Sequence, residues 1–280
     1  MQFDILRLSL LHTTQIDLEE RRLSDGSEFD RETWLQDVFS QQIQFIHRKE
    51  IFHFVPIVDQ DDSFPGLIAG RIGRLVKVQE NEPPERGLTE TEREAWHASL
   101  VLIDPTHHGD GQKVAFQKDS SIGTPLRLLE SLANKINNSG ISEPFFIEVA
   151  PVADLQTFWD FTKKNEGKVT AVTFEFLAPN MFGIHDDYDQ EMANLRDNEK
   201  IRRAKLQIES EEGLELDTDR VRFAANYTTR GGGSLKARTS DGKTYDSNKK
   251  IERVKLGLGD MLELSIGEVI NHAANVIFRR

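Results

Sequence analysis

At 280 residues the chain suits one large domain or two smaller ones, and its 38% hydrophobic content, with 17 Phe, supplies a sizeable core and excludes wholesale disorder. The absence of Cys excludes disulfides, thiolate metal sites and cysteine nucleophiles within these residues, and fits a reducing compartment. A formal charge of -12 excludes uniform attraction to nucleic acid or to an anionic membrane, so such binding needs locally segregated positive charge.

The first predicted element is a strand over residues 3–11. Asp4 and Arg7 interrupt its apolar run, which therefore reads as a strand and not as a signal peptide. No apolar run approaches the ~18 residues needed to cross a membrane, and a cytoplasmic protein is expected. After a polar stretch containing Asp25-Gly26, Asp30 opens a predicted helix over residues 31–46. Trp34, Leu35, Val38, Phe39, Ile43 and Ile46 recur in it at three and four, placing them on one face.

Between residues 51 and 118 the pattern changes to short apolar runs punctuated by Pro, Gly and Asp. These predict a mainly antiparallel sheet, with Glu80 to Arg93 as an exposed loop between two strands. Gly66, Gly70 and Gly73 are followed by no Lys-Ser/Thr and lack the dinucleotide spacing, so bulges or close backbone approach account for them. Thr124-Pro125 starts a helix with Leu126, Leu128, Leu129, Leu132, Ala133 and Ile136 on its apolar face, ending before Gly140.

A strand from Pro144, a helix capped by Asp154 and ending at Gly167, and a strand from Lys168 then form a β-α-β run. It is compatible with a parallel crossover or with a split arrangement. A charged helix is predicted from Tyr188 to about Ile201, then a strand over residues 204–210 and an acidic surface run, Glu209 to Asp219. Residues 221–227 are ambiguous, and a final helix carries Val269, Ile270, Ala273 and Ile277 on one face. These elements predict an α+β fold of mixed, mainly antiparallel sheets with flanking helices. A soft break near Gly140 divides it into an N-terminal domain (1–140) and a C-terminal one (141–280) that presents a basic hairpin.

That hairpin lies in Tyr227 to Lys255, which carries eight Lys and Arg against three acids in an otherwise acidic chain. Asp241-Gly242 marks its turn. Arg230, Lys236, Arg238, Lys243, Lys249 and Lys250 are candidate phosphate partners, Tyr227 and Tyr245 candidate base-stacking rings, and Gly231-Gly232-Gly233 a source of exposed amides. Lys236 and Arg238, two apart on a strand, share a face. The competing reading is a hairpin whose lysines offset the protein's own acidic surface.

Asp104, His107, His108 and Asp110 mix carboxylates with imidazoles at a strand end, as zinc or manganese sites do, although Asp-Pro and Gly-Asp-Gly are also ordinary turn chemistry. Asp186, Asp187, Asp189 and Glu191 form a second acidic cluster that could hold a metal, but they fit the acidic start of a helix better. No Ser occupies a Gly-x-Ser-x-Gly elbow, and isolated histidines such as His47 and His53 carry little weight.

The pairing of TFEFLAPN (173–180) with ANYTTRGGGSLKARTSDGKTYDSNK (225–249) resembles an uncharacterised bacterial family associated with phage-defence and mobile-element neighbourhoods. The resemblance covers mostly the C-terminal half and brings no catalytic residues with it. It implies a host-defence or nucleic-acid-associated role. The expected function is thus a non-catalytic, nucleic-acid-binding or complex-forming component of a bacterial anti-phage defence system, contacting DNA or RNA, without a cofactor. The alternatives are a metal-dependent nuclease and a subunit that recognises a phage or host protein, with protein partners or homo-oligomers in view.

Overall fold

Alternating inward apolar and outward polar side chains put much of the chain into strands. A computed structural model describes residues 1–12, 31–59, 64–106, 112–140, 144–177, 203–257 and 264–278. The larger of its two sheets takes β1 (Gln2–His12), β2 (Ile43–His47), β3 (Glu50–Pro56), β4 (Ile68–Asn81), β5 (Glu90–Asp104), β6 (Gln112–Gln117), β7 (Phe145–Pro151) and β12 (Arg253–Lys255). Their order is β12-β1-β6-β5-β4-β3-β2, with β7 also pairing with β1. The smaller sheet runs β11-β10-β8-β9, from β8 (Val169–Leu177), β9 (Arg203–Glu209), β10 (Gly233–Thr239) and β11 (Thr244–Asp246). Every strand pair described is antiparallel, and the fold is α+β as expected.

Among the described residues five α-helices cover these sheets: α1 (Arg31–Phe39), α2 (Pro125–Asn137), α3 (Leu155–Lys164), α4 (Asp219–Tyr227) and α5 (Ile266–Phe278). On one face of the large sheet, Leu6, Leu8, Phe45, Phe54 and Phe116 pack with Trp34 and Leu35 of α1 and Leu128, Leu129 and Leu132 of α2. On the other face Phe3, Ile5, Leu100 and Leu102 pack with Ile270 and Ala273 of α5. A third core joins Val172, Phe174, Phe176 and Leu235 of the small sheet to Phe158 of α3 and Ala224 of α4. Each fully buried Leu or Phe contributes on the order of 2 kcal/mol by removal from water.

Local chemistry explains the helices. Pro125 occupies the first turn of α2, where its missing N–H costs nothing. At the other end the Asn137 amide donates to Ile147 O (2.9 Å) and accepts from Ile147 N (2.8 Å), pinning the helix to β7. The Asp154 carboxylate caps α3 by accepting from Gln156 N at 2.9 Å. Thr218 caps α4, which settles the ambiguous residues 221–227 as helix.

Three sequence expectations are corrected. The helix predicted over residues 31–46 stops at Phe39, and Ile43–His47 is a strand. Ile43 and Phe45 point inward while Gln44 and Ile46 point out, a period of two that a three-and-four spacing had absorbed. The expected loop from Glu80 to Arg93 is strand at both ends, with only residues 82–89 between β4 and β5, because cross-strand pairs Lys77–Glu92 (2.6 Å) and Arg93–Glu80 (2.6 Å) extend the β4–β5 hairpin through polar sequence. Strands β7 and β8, joined by α3, lie in different sheets, so their connection is neither a parallel crossover nor a split pair. Strands β7 and β12 come from beyond Gly140 yet complete the large sheet, which thus draws on both sides of that position.

Candidate nucleic-acid interface

The basic stretch is built from the end of α4 outward. Thr228 Oγ1 donates to Ala224 O (2.8 Å) and Thr229 Oγ1 to Ala225 O (2.7 Å), which draws the last helical turn into a wider, π-type turn over Thr228–Gly232. The chain then enters β10 through three buried glycines. A Cβ on Gly231 would lie 2.7 Å from the Arg7 side chain, and one on Gly232 2.4 Å from the Tyr227 ring. Gly231-Gly232-Gly233 is therefore a close-packing device, and the expectation of exposed amides there is corrected.

The turn forms where Asp241-Gly242 predicts it. Gly242 N donates to Thr239 O (3.1 Å) and Thr239 N to Lys243 O (3.0 Å), and Gly242 takes φ 84, a conformation that suits glycine. Asp241 accepts from the Thr239 hydroxyl and lies 2.9 Å from Lys243 Nζ. The Thr239 hydroxyl first and Lys243 second hold its carboxyl down at about 2. Because the folded value is depressed, this contribution to the hairpin is fully present above the ordinary carboxyl range and is lost as pH falls through about 2. A carboxyl 13C titration should place the Asp241 midpoint near pH 2 and shift it upward in Thr239→Val. An unchanged midpoint in that variant would remove the hydroxyl as the main cause.

On one side of the hairpin Leu235, Ala237 and Tyr245 enter the third core. Tyr245 is 4% exposed, with its hydroxyl 2.9 Å from Thr157 Oγ1 and its ring against Phe158 and Phe161. No face of that ring is open to a base, which corrects its stacking assignment; burial also raises its hydroxyl pKa. Tyr227 is likewise engaged, donating to Leu177 O at 2.8 Å and packing against Phe176.

The other side of the small sheet displays Lys236 and Arg238, both exposed. Lys236 stands between Asp246 of β11 and Thr173 of β8, and Arg238 between Thr244 and Ala171. Lys205, Gln207 and Glu209 continue this face on β9. Arg230, Lys249 and Lys250 are exposed away from the strands. Among the described residues Arg230, Lys236, Arg238, Lys249 and Lys250 make no ion pair, whereas Lys243 is tied to Asp241. The arrangement offers point charges to phosphate, without aromatic rings on the same face.

At the end nearest β7 the face closes. Ser234 donates to Glu175 (3.0 Å), and Arg203 of β9 binds Glu148 of β7 at 2.7 Å, linking the two sheets. Glu148 first raises the Arg203 pKa. Glu148 and Arg203 went unnoticed as a pair because 55 residues separate them.

Of the metal candidates, His107, His108 and Asp110 lie outside the described residues, as do Asp186, Asp187, Asp189 and Glu191. Asp104 is fully buried at the end of β5, and its carboxylate accepts from Thr106 N at 3.1 Å, the bond of a side-chain turn. Among the described residues no three His, Asp or Glu side chains converge to hold a metal.

One Ser–His contact also escaped the sequence reading: His47 Nδ1 lies 2.8 Å from Ser131 Oγ. The Ser131 hydroxyl donates to Arg127 O at 3.0 Å, so its proton is committed to the helix backbone and the imidazole is not placed to remove it. Burial first, then Arg48, lowers the His47 pKa.

Comparison with family models, with curated proteins and with solved structures finds no match to this chain. Among the described residues no helix is long and apolar enough to cross a membrane.

Proposed function

We propose that the chain is a non-catalytic nucleic-acid-binding component of a bacterial anti-phage defence complex, acting in the cytoplasm. One observation carries the binding reading: Lys236 and Arg238 stand exposed and adjacent on an open sheet face, with no ion pair among the described residues, in a chain of charge -12. Two residues along a strand span roughly 6.8 Å, a spacing that brings two cations to one stretch of phosphate backbone. Arg230, Lys249 and Lys250 extend the contact, while Asp246 and Glu209 limit its strength. The defence association rests on the resemblance carried by residues 173–180 and 225–249.

Fluorescence anisotropy with a labelled 30-mer duplex at low salt tests the binding. Affinity should fall steeply with salt, and Lys236→Glu with Arg238→Glu should weaken it by roughly tenfold or more and reduce the log–log salt slope by about 2. Absence of binding by the wild type at low salt, or an unchanged slope in the double variant, would sink the reading. Loss of phage protection by the same variant in cells tests the defence role separately.

A further inference from the structure

Helix α5 covers the large sheet over β1, β6 and the C-terminal third of β5, but the same sheet face toward β3 and β2 carries exposed apolar side chains. Ile46 and Ile51 are paired across the β2–β3 hairpin and are 69% and 52% exposed. Leu75 and Trp96 are paired across β4–β5 and are 40% and 64% exposed, and Val55 joins them at 44%. His53 bridges the two groups, its ring edge-on to Trp96 at 5.6 Å. Strand periodicity places these side chains on one surface, and soluble proteins seldom leave such a set in water unless a partner covers it.

The charges around the patch indicate the partner. Arg71 stands beside Val55, and Arg48 and Lys49 form the turn between Ile46 and Ile51; all three are exposed and without an ion pair among the described residues. Arg48 and Lys49 both hold positive φ, 50 and 72, so two non-glycine residues occupy a turn that glycine or asparagine adopts more readily. Lys77 and Glu92 neutralise each other at 2.6 Å, leaving three cations against Glu50 and Glu94. The patch is thus locally positive on an acidic protein. A second copy would set one net-positive patch against another, and nucleic acid would leave four aliphatic side chains without apolar contact.

We infer that this face docks a partner protein segment that bears both carboxylates and apolar side chains, with Trp96 as the central anchor and Arg71 as the charge reader. This surface is distinct from the Lys236–Arg238 face, and the inference stands independently of nucleic-acid binding.

The test uses the full chain and two synthetic amphipathic peptides, one alternating Glu with Ile and Phe, the other its Lys counterpart, followed by methyl NMR of Ile46, Ile51 and Val55 and by titration. The Glu peptide should shift those methyls and bind at least tenfold tighter than the Lys peptide. Trp96→Ala should weaken it at least tenfold, and Arg71→Glu should invert the preference. Both side chains are exposed, and a circular dichroism melt superposable on wild type shows that each variant is folded. Equal or absent binding of the two peptides would overturn the inference. So would a single-stranded oligonucleotide shifting the same methyls, or a dimer by sedimentation that Trp96→Ala dissolves.

Discussion

Gly233→Ala should be among the most damaging single methyl additions in this protein, with an expected loss of roughly 3–5 kcal/mol. Two separate costs meet there. Gly233 holds φ 152, where an L side chain is strained by about 1–3 kcal/mol, and a Cβ would fall 1.8 Å from Glu175 O, a backbone atom of the paired strand that cannot swing aside. Gly242→Ala is the control, since Gly242 also has positive φ (84) but no atom within 4 Å of the added carbon. It should cost only about 1–2 kcal/mol. Urea unfolding of the two variants beside wild type measures both, and equal losses would show that the contact with β8 does not matter.

Arg253→Ala is expected to cost about 3 kcal/mol, more than Asp4→Asn at the other end of the same pair. The Asp4 carboxylate on β1 is 3% exposed and lies 3.1 Å from Arg253 Nε on β12, while the Arg253 side chain is 42% exposed. Removing the arginine strands a buried carboxylate, whereas neutralising the aspartate leaves a guanidinium that water still reaches. The double variant Asp4→Asn, Arg253→Ala should therefore recover part of the loss. A double-mutant cycle by urea unfolding checks this, and a strictly additive result would mean the two groups do not depend on each other.

Sequence legibility followed the range of the interactions. Helix α2 announces itself through Pro125 and a leucine face, and the Asp241-Gly242 turn through two residues, because both are decided within a few positions. The β4–β5 hairpin was under-read because its outer half is held by ion pairs between polar residues, and Ile43–His47 because a strand and a helix face can share their apolar positions. Composition disclosed the basic stretch but not its partition. Lys236 and Arg238 lie outward while Tyr245 is buried, a difference of strand parity that was readable from the alternation. That Gly231 and Gly232 press on Arg7 and Tyr227 could be learned only once β1 and α4 were placed beside them.

The same stretch reaches all three cores, with Tyr245 in one, Ile251 in a second and the half-buried Val254 of β12 against the third, where β12 pairs with β1. This order has a temporal consequence during synthesis. Asp4 and Arg253 are 249 residues apart, so at about 5–20 residues per second the first strand waits roughly 12–50 s for its last neighbour. For that interval Phe3, Ile5, Leu6 and Leu8 belong to an unfinished sheet on the ribosome, where holding nascent chains apart governs the yield of folded protein.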